Sequence, residues 1–423
     1  MKARRDILLL GAGAVLSGCA FFWAGAGDVT GRIGTHLAVY GLAFVSYLVA
    51  LWASRGLAGR GLGAALALAV GWRVALLPTA PLLSEDVYRY LWEGRVQAYG
   101  GNPYAWSDRA EAEKWAPLRD ELWRRMAHKA YTAVYPPLWQ LAGRAIVAVH
   151  ESVLAMKVFV VGCEVGLWGA LFLILLRRGL PSSRLLVVAW SPLALVEVAG
   201  SGHNDPFGLL FLALALLALD HGRSGLSAFA AALGFSAKLL PGFVALSWGR
   251  RYGLRHAALA LAVVAVLALP YASAGAGIWR GLDAYGSWRF NESLLALLDA
   301  VAPSRLAATR CASILVTALA LLLAARREDP TRAGFAVVAA SIALSAHVLP
   351  WYALWLLPWL VLVDSPAALL FTGTVGLAYL VYPGWRSGGR WQVDWGVRAL
   401  EYGPCFAVAA WTWLRGRGGA AGP

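Results

Sequence analysis

Charge is what this 423-residue chain has least of: 14% of its residues are Asp, Glu, Lys or Arg, against about a quarter in soluble domains. That shortage excludes an ordinary soluble fold, and no separate soluble domain is expected. Cysteine is scarce as well. Cys19, Cys163, Cys311 and Cys405 all lie in apolar segments. They have neither metal-ligand spacing nor an obvious partner, which leaves no disulfide framework to expect and makes them small core residues. No phosphate-binding G-x-x-x-x-G-K loop, G-x-S-x-G elbow, H-E-x-x-H pair or haem motif is present, so those routes to catalysis are closed. No internal repeat is visible.

What remains is apolar. Hydrophobic residues make up 60% of the chain and the mean hydropathy is +0.61. Apolar runs of about 17–25 residues, the length a helix needs to cross a bilayer core, recur throughout. The chain reads as an all-α polytopic membrane protein. The net charge of +14 would suggest nucleic acid if it were spread over a surface. Instead the bases sit at segment ends: Lys2, Arg4 and Arg5; Arg177 and Arg178; Arg250 and Arg251; Arg326 and Arg327; Arg415 and Arg417. That is the positive-inside pattern, so membrane lipids are expected as partners and nucleic acid is not. The N-terminus is similar to a signal peptide, but its apolar stretch is long and lacks a cleavage site, so it reads as a retained first helix.

The charge rule gives about twelve crossings with both termini in the cytoplasm and one unit over residues 1–423. The longest polar segment, Pro81 to Val134, then faces outward with eight acids and eight bases. Trp106, Trp115, Trp123 and Tyr131 are scattered through it, which suits short helices lying in the interface. Tyr135 to Leu176 is expected to make one net crossing from two helical pieces. Gly225 to Trp248 carries Lys238-Leu239-Leu240-Pro241 at its middle and reads as a re-entrant or broken pair, which a membrane tolerates only beside a cavity.

The chain is organised around Ser84 to Tyr104, SEDVYRYLWEGRVQAYGGNPY. Adjacent carboxylates, Glu85 and Asp86, follow an apolar segment directly. They serve either as a catalytic acid or base at a membrane surface or as the acidic first turn of a solvated helix. The two point in different directions, and Asp86 is preferred because Arg89 and Tyr90 lie one turn on. Arg89 and Arg95 bind a phosphate or pair with Glu93 and its neighbours. His203-Asn204-Asp205 binds sugar hydroxyls or caps a helix whose first turn holds Pro206. Two ligands in three residues are too few for a metal site. Lys238 meets an anion or snorkels to the headgroups. His347, before Pro350-Trp351-Tyr352, donates to a phosphate or is an interfacial histidine. Arg398 and Glu401 are one turn apart and expected to pair. Glu197 has no local partner and is expected to meet Lys238 or an outer-loop arginine.

Together these residues resemble a GT-C glycosyltransferase, nearest to the bacterial polyprenol-phosphate-mannose-dependent alpha-1,6-mannosyltransferase-like group. The resemblance is carried by Asp86-Val87-Tyr88-Arg89-Tyr90-Leu91-Trp92-Glu93-Gly94-Arg95 and Asn102-Pro103-Tyr104. Tyr135-Pro136-Pro137, His203-Asn204-Asp205, Lys238 to Pro241, Phe290-Asn291-Glu292-Ser293 and Pro350-Trp351-Tyr352 support it in order. The family often has Asp where this chain has Glu93. The resemblance implies a GT-C-like bundle and a polyprenyl-phosphate sugar, mannose foremost, as donor and co-substrate. The acceptor would be a lipid or glycan, with transfer at the outer face of the cytoplasmic membrane. Asp86, or in second place Glu85, would be the base of a single-step inversion. Lys238, Arg89, Arg95, His347 and Arg398 would be candidates for the donor phosphate. His203, Asn204, Asp205, Asn291, Glu292, Tyr135, Trp351 and Tyr352 would face sugar or acceptor. No tightly bound cofactor is expected; the superfamily is mixed on divalent cations. Two rival readings are a lipid transporter or flippase and a non-catalytic assembly partner. The clustering of charges toward one face and the absence of an inverted repeat count against the transporter.

Overall fold

A computed structural model describes residues 2–107 and 113–418. Part of the charge of the long polar loop (108–112), the Arg417 side chain and the tail from 419 lie outside the described residues. The chain is 77% helix, with no strand among the described residues. The helices used below are α1 (Lys2–Ala26), α2 (Ile33–Ala53), α3 (Gly59–Leu76), α4 (Asp86–Ala98), α5 (Pro137–Val149), α6 (Val153–Arg177), α7 (Asp205–Asp220), α8 (Ser224–Ala237), α9 (Leu240–Ser247), α10 (Gly249–Ala268), α11 (Gly277–Gly286), α12 (Arg305–Ala325), α13 (Pro330–Ala343), α14 (Pro366–Thr374) and α15 (Trp395–Gly418).

Among the described residues six helical stretches are long and apolar enough to cross a bilayer: Lys2–Ala26, Thr30–Ala53, Val153–Arg177, Gly249–Ala274, Arg305–Ala325 and Pro366–Arg386. A seventh is a pair, Ser182–Ala189 and Pro192–Gly200, bent by 45°. The chain is a helical membrane protein. Its local starts are written in the sequence. Ser152 Oγ accepts the Ala155 N–H, Ser304 Oγ that of Ala307, and Asp329 those of Thr331 and Arg332 ahead of α13. Side-chain oxygens of this kind satisfy donors that the first turn leaves open.

The interior is not uniformly apolar. Arg73 of α3 makes a bidentate pair with Glu164 of α6, Nε to Oε2 at 2.7 Å and Nη2 to Oε1 at 2.5 Å, and both are buried. Lys157, fully buried on α6, donates to the carbonyls of Leu76 and Thr79 and to Thr79 Oγ1. A cation there meets carbonyls at and just past the end of α3. α3 and the start of α6 are thereby locked together directly before the Ser84 stretch.

The long polar loop is held by α4. Gly94 is required by packing: a Cβ there would lie 2.7 Å from the Gly143 carbonyl and from Val147 Cγ2 of α5. Trp92, Trp106 and Trp123 form an aromatic core beneath it, with ring centroids 4.6–6.1 Å apart. The short pieces Ala116–Leu118 and Glu121–Arg125 follow.

Tyr135 to Leu176 holds two helical pieces, as expected: α5 has 13 residues, and α6, with 25, is long enough to span. Three local readings change. Arg398 pairs with Glu292 at 2.9 Å rather than with Glu401, whose carboxylate accepts from Asn291. Glu197 meets Tyr379 and His203, not Lys238. Cys311 is exposed on α12, not in the core. The expected break at Lys238 is present, between α8 and α9.

Candidate active site

Asp86 is the first residue of α4, and its N–H donates to Ser84 Oγ at 3.3 Å. Its side chain remains 26% exposed. The Tyr135 hydroxyl lies 3.3 Å from the hydroxyl of Tyr90. Burial lifts the Asp86 carboxyl above the usual aspartate range, while Arg89 and Lys238 pull it back and Asp205 adds to the rise. Glu85 is exposed. Its carboxyl is also raised, by partial burial and Asp28, against Lys129 and Arg125. The adjacent acids thus sit in different surroundings, and Asp86 is the one that reaches the polar centre.

That centre is built from helix ends. Lys238 caps α8 in an extended conformation. Its ammonium donates to Asp205 Oδ1 at 2.6 Å and Asn204 Oδ1 at 3.1 Å, over the Tyr135 ring at 5.5 Å. Asp205 opens α7, with Asn204 before it and Pro206 after it. Its side chain has no exposed surface, and Oδ1 also accepts from Trp355 Nε1 at 2.5 Å. Asp205 therefore serves as the buried counter-ion of Lys238. His203 stacks on Trp351, with centroids 3.9 Å apart and planes 21° apart. Its Nδ1 is 3.8 Å from Asp86 Oδ2 and its Nε2 is 3.5 Å from Glu197 Oε2. Burial, with Lys238 nearby, holds His203 far below its ordinary pKa and so neutral. On the other side, Tyr352 and Tyr285 share a hydroxyl contact of 2.5 Å, and Tyr285 stacks on His347 at 4.0 Å. Burial and Arg289 push His347 down to about 3, so it too is neutral.

The structure thus gathers Asp86, Tyr135, His203, Asn204, Asp205, Lys238, Trp351 and Tyr352, with His347 beside them. Arg89 and Arg95 are engaged elsewhere. Arg89 reaches Glu93 at 3.1 Å and the carbonyls of Ala127, His128 and Tyr131, tying the long polar loop to α4. Arg95 holds Asp120 at 3.0 Å and Glu151 at 2.5 Å. Asn291, Glu292 and Arg398 form a second polar group with Glu401 and Tyr402. It joins the first through the backbone pairing of Phe290 with His347. Sequence reasoning missed Trp355, Tyr285 and Tyr379. Aromatic side chains carry no spacing signal in a chain with 21 Trp and 15 Tyr.

Among the described residues no group of three or more His, Cys, Asp or Glu gathers as a metal site. The arrangement offers a carboxylate base, neutral imidazoles, a paired ammonium with a donor to spare, and stacked aromatics. No curated protein and no solved structure matches the chain. Residues 10–273, more than half of the 423, match the family profile described as alpha-(1->6)-mannopyranosyltransferase, N-terminal domain, and the chain belongs to that family of glycosyltransferases.

Proposed function

We propose that the chain moves a mannosyl group from a polyprenyl phosphate to a hydroxyl of a lipid or glycan acceptor. The step would run at the outer face of the cytoplasmic membrane, in a single GT-C unit of about twelve crossings with both termini cytoplasmic. The observation that carries the reading is the convergence on Asp86: a partly exposed carboxylate at a helix start, 3.8 Å from His203 and under the influence of the Lys238 ammonium.

In the proposed step the acceptor oxygen attacks the anomeric carbon as its proton passes to Asp86. The bond from that carbon to the phosphate oxygen breaks, and its electron pair leaves with the polyprenyl phosphate. One displacement inverts the centre, so an α product requires a β-linked donor. A phosphate is a good leaving group, so one base and one anion site suffice, without the second carboxylate of glycosidases. Two of the three ammonium donors of Lys238 are held by Asn204 and Asp205; the third faces the departing phosphate, where charge develops. His347 Nε2, buried and without a protein partner among the described residues, donates to the same phosphate. Trp351, Tyr352 and Tyr135 offer faces for the sugar. Arg89 and Arg95 serve by holding the outer loop over the site.

The test is transfer in nanodiscs from polyprenyl-phosphate mannose, then from other polyprenyl-phosphate sugars, with lipid extract as acceptor. Asp86→Asn and Glu85→Gln run beside wild type. Removing a general base costs about 10²–10⁴-fold. Loss of that size in folded Asp86→Asn, with Glu85→Gln near wild type, supports the reading. Equal transfer by wild type and Asp86→Asn overturns it.

A further inference from the structure

Glu197 is a buried acid that the proposed chemistry leaves idle. It lies on Leu195–Gly200, a stretch with π-helical pairing in which the Ser201 N–H reaches back to the Val196 carbonyl at 2.8 Å. Such wide turns re-aim side chains and cluster at functional sites. The chain then reverses at Gly202 (φ +83°), a conformation a side chain at that position would resist. The reversal brings the His203 N–H to the Glu197 carbonyl oxygen at 3.0 Å. Backbone geometry thus folds residue 203 over residue 197.

The side chains continue the arrangement. Tyr379 donates to Glu197 Oε1 at 2.8 Å. Glu197 Oε2 faces His203 Nε2 at 3.5 Å, and His203 Nδ1 faces Asp86 Oδ2 at 3.8 Å. The His203 and Glu197 side chains are each 1% exposed. Both ring nitrogens and Glu197 Oε2 lack a hydrogen-bond partner among the described residues. Groups left buried and unpaired forfeit their hydration without replacing it. A neutral His203 has one N–H to give, so the row Tyr379, Glu197, His203, Asp86 closes as a line of hydrogen bonds with Glu197 as the carboxylic acid, its Oε2–H donating to Nε2 and the His203 Nδ1–H donating to Asp86. The two open contacts are within about an ångström of closing, as apo sites often are.

We propose that Glu197 is a positioning residue: it fixes the His203 imidazole, which orients the Asp86 carboxylate for the acceptor hydroxyl. This rests on Asp86 as base. The stack on Trp351 fixes the plane of the imidazole, and Glu197 fixes its rotation in that plane and which nitrogen carries the proton. Proton bookkeeping in the transfer step is unchanged, because the acceptor proton still ends on Asp86.

The experiment is steady-state transfer by Glu197→Leu, Glu197→Gln, His203→Asn, the double variant Glu197→Leu/His203→Asn and Tyr379→Phe, with Asp86→Asn as reference and thermal unfolding in detergent for each. Glu197→Leu should lower kcat by about ten- to hundredfold, the equivalent of the charge-assisted hydrogen bond from His203 to Asp86, with donor KM unchanged. Glu197→Gln, whose amide can also donate to Nε2, should keep most of the wild-type kcat. Tyr379→Phe should lower kcat less than Glu197→Leu, in the same sense. In the His203→Asn background Glu197→Leu should add nothing, because Glu197 acts through His203. A further drop in the double variant, or a kcat loss that tracks lowered unfolding temperature, overturns the proposal in favour of a packing role. Wild-type kcat in Glu197→Leu while Asp86→Asn is inactive overturns it alone. Full activity in Asp86→Asn removes the base assignment and this inference with it.

Discussion

Replacing Lys238 separates two things that the structure joins at one atom. The ammonium is the partner of a carboxylate with no exposed surface, while the Lys238 side chain is itself 18% exposed. Lys238→Met leaves Asp205 with Trp355 as donor to Oδ1 and nothing on Oδ2. Removing one member of a buried pair costs about 3–5 kcal/mol. The donor phosphate would lose a hydrogen bond between charged groups, about 1.5–3 kcal/mol, or about 10–150-fold in kcat/KM. The two losses come apart in Lys238→Met/Asp205→Asn. That double variant carries no uncompensated charge, so its unfolding temperature in detergent should recover most of the fall. Its kcat/KM for polyprenyl-phosphate mannose should stay low. Lys238→Arg keeps a cation and should lose less of both. Unfolding temperature and kcat/KM recovering together in the double variant would refute the argument, because Lys238 would then matter only as the counter-ion of Asp205.

Further outcomes follow from particular contacts. The raised Asp86 carboxyl must be ionised to act as base, so kcat/KM should fall as pH drops through a limb above the ordinary aspartate value of about 4. A limb at or below that value contradicts the buried setting. The same sign means that the folded chain takes up this proton more readily than the unfolded one, so acidification through the limb relieves Asp86 rather than costing stability. Arg73→Met should destabilise by about 3–5 kcal/mol by stranding Glu164, and Arg73→Met/Glu164→Leu should regain most of it; thermal unfolding decides. Gly94→Ala drives a methyl to 2.7 Å from a backbone carbonyl of α5 and should cost about 1–3 kcal/mol, with transfer falling as α4 is pushed off its seat.

The sequence was most legible where local chemistry and position agree. Ser84 to Tyr104 reads as an acidic helix start followed by a turn, and α4 begins at Asp86 and ends before Gly100-Gly101. Lys238 to Pro241 reads as a break because proline removes a donor and disfavours helix just before it, and α8 ends there. Pairing was the illegible part. Local spacing joins Arg398 to Glu401, but Arg398 reaches Glu292, 106 residues away, and Glu401 takes Asn291, 110 away. Arg73 and Glu164 are 91 apart. In a low-dielectric interior each charge goes to the partner that packing delivers, and sequence proximity carries little weight. The crossing count is limited by a related effect. Apolar runs around residues 182–200, 224–247 and 350–362 are divided by Pro192, by Lys238 with Pro241, and by the 3-10 turn from Pro350, so hydropathy marks them without giving their continuity.

Those interruptions share a location with the chemistry. Asp86 starts α4, Asp205 starts α7, Lys238 ends α8, His203 follows a π-helical turn, and Trp351 and Tyr352 lie in a 3-10 turn. A continuous helix in a bilayer consumes its own backbone donors and acceptors and presents side chains to lipid or to neighbours. A broken one leaves carbonyls and N–H groups that must be satisfied, and the groups that satisfy them are polar side chains lining a cavity. Asn204 and Asp205 meeting the ammonium that caps α8 is such a settlement, and it leaves one ammonium donor and one carboxylate oxygen over. A polar site beside an apolar bundle therefore does not need polar residues inserted into intact helices. It needs helices that stop, and the prolines and glycines that stop them here stand within a few residues of nearly every side chain at the centre.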